Sequence, residues 1–230
     1  MSGFADIIKY FFDPEIMVKA LPTLANGLWV TIKVSVTIMA VGFGVGLFLA
    51  IIRALDLKYI DKPINFLIDL YADVLRASPY LVLVTIVYYG APFLGVRFSP
   101  FWATVVTFGA CLSAFAEEIF RGGIEAIDKG QVEAARASGL SSFQTLWYVV
   151  LPWAVMVSVP PLTNRTIAIT KAVSLASAIT LPELLKQARH LQALYANPTP
   201  LVEAAIIYVL LFFPLVRFSL YLERKMGSAE

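Results

Sequence analysis

An all-α integral membrane fold with about five transmembrane helices is predicted by three observations on this chain. Apolar residues make up 59% of its 230 positions. Charged residues make up 15%, against about 25% in ordinary soluble domains. The charges are also unevenly spread, leaving uncharged runs close to the roughly 20 residues that a helix needs to cross the hydrocarbon core. Lipid offers the backbone no hydrogen-bond partners, so each run must satisfy its own amides as a helix.

Four runs contain no Asp, Glu, Lys, Arg or His: Val34 to Ile52, Ala77 to Val96, Phe98 to Ala116 and Leu140 to Asn164. A fifth, Leu201 to Leu222, holds Glu203 near one end and Arg217 near the other, where side chains can reach the interface. Residues 24–225 are therefore expected to form the transmembrane domain. Residues 1–23 are expected to form a retained periplasmic or interfacial segment. They contain Asp6, Asp13 and Glu15 and lack the basic start, apolar run and cleavage site of a signal peptide.

Short loops rich in Lys and Arg stay in the cytoplasm. Arg53, Lys58, Lys62 and Arg76 lie between the first two spans, so that loop is assigned inside. Alternation then places Arg121, Lys129, Arg136, Arg224 and Lys225 inside, with the N-terminus periplasmic and the C-terminus cytoplasmic. The same alternation puts Arg165, Lys171, Lys186, Arg189 and His190 outside or within the bundle, against the positive-inside preference. Something besides topology is expected to retain them.

Within the first span, Gly42 and Gly46 have the spacing that lets another helix approach closely, with Gly44 between them. Pro160-Pro161 is expected to disturb the end of span four, and Asn197-Pro198-Thr199-Pro200 marks a turn before span five. Glu117 and Glu118 close span three at its cytoplasmic interface.

Several function classes lack material. A net charge of +2, with basic residues scattered singly, argues against nucleic acid as a partner. The single Cys111 cannot form an intrachain disulfide, and His190, expected in a loop, is the only histidine, so metal clusters and Cys-His pairs are unsupported. No GxxxxGK[ST] phosphate loop occurs, so energy for any pumping must come from elsewhere.

The most informative stretch is polar and runs from Gln131 to Pro152. Val132 to Ser138 are good helix formers and Gly139 supplies a stop, giving a short exposed helix whose small Ala134 and Ala135 keep its surface low. Such a helix suits a groove on another protein.

Glu133-Ala134-Ala135, then Gly139, Val149 and Leu151-Pro152 at their spacings, resemble the EAA motif of permease subunits of ATP-binding-cassette importers, with Val149 in place of the usual Ile. Gly27-Leu-Trp-Val-Thr-Ile-Lys33, Arg76-Ala-Ser-Pro79, Glu118-Ile-Phe-Arg-Gly-Gly-Ile124 and Leu181-Pro182-Glu183-Leu184-Leu185 are similar to its polar-amino-acid uptake branch.

The resemblance implies a type I importer transmembrane domain in the bacterial inner membrane, with a coupling helix at about 130–140. Glu133, Ala134, Ala135, Gly139 and Leu140 would meet the ATP-binding subunit. It further implies a cytoplasmic ATPase dimer that holds ATP and Mg, a periplasmic substrate-binding protein and a second permease, identical or homologous. This chain itself would bind no cofactor and catalyse no reaction. Relatives commonly carry Gln or Glu at Arg165 and an Asp at Ala172. A substrate pathway near Arg165, Lys171, Ser174 and Glu118 is accordingly expected to favour an acidic or zwitterionic solute over a cationic one. The alternatives are an ion-coupled secondary transporter, which the uncharged spans and absent repeat disfavour, and an importer permease for another solute.

Overall fold

A computed structural model describes residues 3, 10–55 and 61–227. Lys58, counted in the first loop, and most of the chain before Tyr10 lie outside them. Among the described residues all regular structure is helical. Four stretches are long and apolar enough to cross a membrane: Pro14–Ala54, Pro100–Glu125, Ser142–Ile179 and Thr199–Lys225. A bent pair, Lys62–Ala77 with Tyr80–Leu94, makes a fifth if taken as one span.

Helix α1, Pro14–Ala54, starts well before the expected first span and contains the 23/24 boundary drawn from sequence. Asp13 caps it by accepting from the Glu15 and Ile16 amides, and Pro14 occupies the first turn, where its missing donor costs nothing. Its buried residues, from Ala20 through Gly27, Val34, Ile38, Gly42 and Gly46 to Ala50, recur every three or four positions and make one stripe of mostly small side chains.

That stripe lies along α4, Pro100–Glu125, the central and most buried helix. A Cβ on Gly46 would meet Ala116 Cβ at 2.6 Å and the Ser113 carbonyl oxygen at 2.9 Å. One on Gly42 would meet Leu112 at 2.8 Å, whereas Gly44 faces open space. The small-residue spacing therefore serves α1 against α4 within one chain. Val34, Ile38, Phe108 and Leu112 join Val84 and Ile169 in the main core.

Between α1 and α4 come α2, Asp61–Ala77, and α3, Tyr80–Gly90, the latter followed by a 3-10 turn at Ala91–Leu94. The expected single span Ala77 to Val96 is α3 and its turn, and at its start an elbow of 106° across Ser78-Pro79 joins it to α2. Pro79 caps α3 in an extended conformation, and the residue before a proline resists helical geometry, so α2 must end there. One face of α2, with Ile68 and Ala72, is buried, while Phe66, Leu67, Leu70 and Val74 are exposed.

A short helix α5, Lys129–Ala137, follows α4, then α6, Ser142–Thr145, a π turn at Leu146–Val150, and α7, Leu151–Ala172. The π turn precedes Pro152, which lacks a donor and crowds the carbonyl four residues earlier. Pro160-Pro161 does not end the span as expected. Both prolines sit inside α7, and helix continues as a 3-10 stretch, Val173–Ile179. Proline is tolerated inside membrane helices that have neighbours on their flanks, and α7 packs on α4 and the final helix.

Helix α8, Leu184–Tyr195, covers the N-terminal part of α1 through Leu184, Ala188 and Leu191. His190 is an exposed residue of this helix, not of a loop. The turn before α9, Thr199–Gly227, forms as expected, with Asn197 Oδ1 accepting from the Thr199 amide at 2.8 Å. Of the four long spans, α9 is the least buried.

Candidate functional site

Helix α5 is built by its ends. Asp128 accepts from the Gly130 amide at 2.6 Å to open it. At the other end the Gly139 amide donates to Arg136 O and the Leu140 amide to Ala135 O, and Gly139 takes φ +90°, a region closed to most side chains. No residue of α5 is buried. Glu133, Ala134 and Gly139 are exposed, while Ala135 and Leu140 are half-buried. Val132 alone ties the helix to the Leu146, Val150 and Leu151 cluster. The result is a low, capped, solvent-facing ridge at one end of the bundle.

The four expected pathway residues do not converge. Arg165 lies mid-way along α7, not at the end of its span, and stacks over the Phe115 ring at 3.7 Å. It borders a cavity of about 400 Å³ with Ile119, Pro161, Asn164 and Ala168. Among the described residues no carboxylate pairs with it. Next to it, Asn164 donates to Glu223 and accepts from Ser219 Oγ at 2.8 Å, fastening α7 to α9.

Lys171 stands six residues further on, about 120° away around the helix. It points over Phe212 at 5.4 Å and, with Ser174, lines a separate groove of about 460 Å³ walled by Tyr208, Val209, Phe212, Phe213 and Val216. Glu118 belongs to neither cavity and pairs with Arg76 of α2.

Two arrangements escaped the sequence reading. Glu117 is buried, its carboxylate shared by Arg53 of α1 at 3.1 Å and Arg121 at 3.7 Å, while Arg53 also reaches Asp69 of α2. The available signal was opposite charges at matching depth on spans one and three. The second is Glu183, fully buried, which accepts from the Leu185 and Lys186 amides at 2.9 and 2.6 Å and from the Tyr208 hydroxyl at 3.0 Å. Burial pushes its pKa above the usual carboxylate range, against those hydrogen bonds. Glu183→Ala removes a helix cap and leaves a buried hydroxyl unpaired. It is expected to cost about 2 kcal/mol, read as a lower thermal midpoint of the solubilised protein.

Residues 16–228 match the family described as the inner-membrane component of binding-protein-dependent transport systems. The chain belongs to that family. Among its curated relatives is a probable amino-acid ABC transporter permease protein, YckA, of Bacillus subtilis (strain 168), 35% identical over 79% of this chain and 78% of the relative. Another is the arginine transport system permease protein ArtQ of the same organism, 33% identical over 95% and 99%. A crystal structure of an amino acid ABC transporter with histidines superposes with a TM-score of 0.80 at 31% identity, covering 91% of this chain and 96% of that one. The apolar spans and the elbow are thus those of an inner-membrane transport component, a family of permease subunits and not of catalytic ones.

Proposed function

We propose that this chain is one half of the translocation pathway of an ATP-driven importer for a polar amino acid or amino-acid-like solute. The observation that carries this is α5: a capped helix with no buried residue, presenting Glu133, Ala134 and Gly139 outward. It suits a cleft on a cytoplasmic ATPase dimer, which would hold ATP and Mg while this chain binds no cofactor. A periplasmic binding protein would deliver solute, and a second permease, identical or homologous, would complete the pathway. The N-terminus is then periplasmic and the C-terminus cytoplasmic, consistent with Arg53, Arg121, Arg136 and Arg224 at one end.

The relatives named for amino acids support the solute class. Within it, an acidic or zwitterionic solute is favoured by Arg165, a guanidinium at an open cavity with no carboxylate paired to it among the described residues. Lys171 and Ser174 line a second cavity. Of the two, we propose the Arg165 cavity as part of the pathway.

The test is uptake into proteoliposomes holding the complete complex. Uptake should require ATP, and glutamate or a neutral amino acid should compete better than arginine. Preferential competition by arginine or lysine removes the charge reading, and uptake without the ATPase removes the importer reading. Arg165→Glu is expected to shift preference toward cationic amino acids by about tenfold, measured as the ratio of competition constants.

A further inference from the structure

We infer that Glu117 is a positioning residue for energy coupling, fastening α1 and the α2–α3 elbow to the end of α4 that carries α5. The inference rests on α5 being the helix that the ATPase moves.

Three helices meet at this carboxylate. Glu117 and Arg121 belong to α4, Arg53 closes α1, and Asp69 of α2 holds the far side of Arg53. The side chain of Glu117 is 3% exposed and that of Arg53 14%. A second tie, from Glu118 to Arg76 and on to Asp73, fixes α2 just before its elbow. Four residues beyond Arg121, Glu125 pairs with it and ends α4; the linker to α5 starts there.

A displacement of α5 therefore reaches α4 through its last turn. From there it can act on α2 through charge contacts across Glu117. From α2 it passes the 106° elbow into α3, whose Val84 packs in the main core with Ile169 and Val173 of the α7 region. The contacts suit this use. Neither Arg53 Nε nor Arg121 Nε is aligned with Glu117 Oε1 as a hydrogen bond, so attraction persists while the geometry shifts. Loss of the carboxylate would leave two guanidinium groups facing each other at a buried site.

The experiment uses the complete complex in lipid nanodiscs and proteoliposomes, comparing Glu117→Gln with Glu117→Asp. Glu117→Gln should lower solute moved per ATP hydrolysed by about tenfold, with ATP hydrolysis and subunit stoichiometry retained. Glu117→Asp, which keeps the charge, should recover most of the loss. Nitroxide labels at the exposed positions Val74 and Ala126 should give one narrow distance distribution through the nucleotide cycle in the parent and a broad one in Glu117→Gln. Normal coupling in Glu117→Gln overturns the inference, as does a narrow distribution in that variant. Loss of assembly in Glu117→Gln without recovery in Glu117→Asp also overturns it, since that marks a merely structural residue. A Glu133→Lys complex that assembles and couples normally removes the role of α5 itself, a separate failure.

Discussion

Glu133→Lys is expected to abolish uptake while the chain inserts and folds as before. Glu133 is exposed on a helix that buries none of its residues, so the fold has nothing to lose there beyond a few tenths of a kcal/mol. Every large effect of the change must then come from a partner. Reversing a charge in a docking surface typically costs about 2–5 kcal/mol when the opposing group is left unpaired, a loss of at least tenfold in affinity. The ATPase should therefore fail to co-purify with the variant, and binding-protein-stimulated hydrolysis should disappear. Normal co-purification with normal uptake would end the assignment of α5 as the coupling helix. Gly139→Asp should act in the same direction more weakly, because φ +90° strains the new residue and loosens the end of the helix.

Gly46→Leu is expected to prevent folding of the chain outright. In an isolated helix the exchange of Gly for a larger residue gains up to about 1 kcal/mol. Here the gain is overwhelmed, because the first added carbon would lie 2.6 Å from Ala116 Cβ, 2.9 Å from a backbone oxygen and 3.0 Å from the Glu117 amide. Backbone cannot step aside without separating α1 from α4, and overpacking of about 1–3 kcal/mol per misfit is the lower bound when the obstacle is a helix. Gly46→Ala should already lower the yield of folded protein. Gly44→Ala, on the open side of the same helix, should be neutral or slightly stabilising. A size-exclusion and thermal-melting comparison of the three variants checks both signs. Equal behaviour of Gly44→Ala and Gly46→Ala would show that the close approach is not present.

Much of this architecture is written in period and charge. The apolar runs located all four long spans, and the Val132 to Ser138 stretch located a short exposed helix whose Gly139 ends it as the residue types require. Three features were hidden for physical reasons. The elbow at Ser78-Pro79 stands at the start of the uncharged run Ala77 to Val96, which in composition reads as one span of its own. Pro160-Pro161 reads as a disturbance of the helix end because local propensity ignores the neighbours against which α7 continues through it. That error displaced Arg165 toward the outer end, when it actually faces Phe115 near the charged end of α4. The six-residue spacing already turns Lys171 away from Arg165, but that the two line separate cavities needs the position of α9. The Glu117 cluster was out of reach for a related reason, as Arg53 and, behind it, Asp69 come from helices far from Glu117 along the chain, and only Arg121 shares its helix.

The near absence of packing under α5 has a thermodynamic consequence. Nine residues held by two caps and one side-chain anchor are shorter than the roughly 12–15 at which isolated helices become even marginally stable in water. In the proposed role, part of the ATPase's binding free energy goes into holding this segment helical. Affinity between the subunits should then fall as temperature rises and the ordering entropy weighs more heavily. The joint between motor and membrane would be, on this account, a piece of secondary structure completed by its partner.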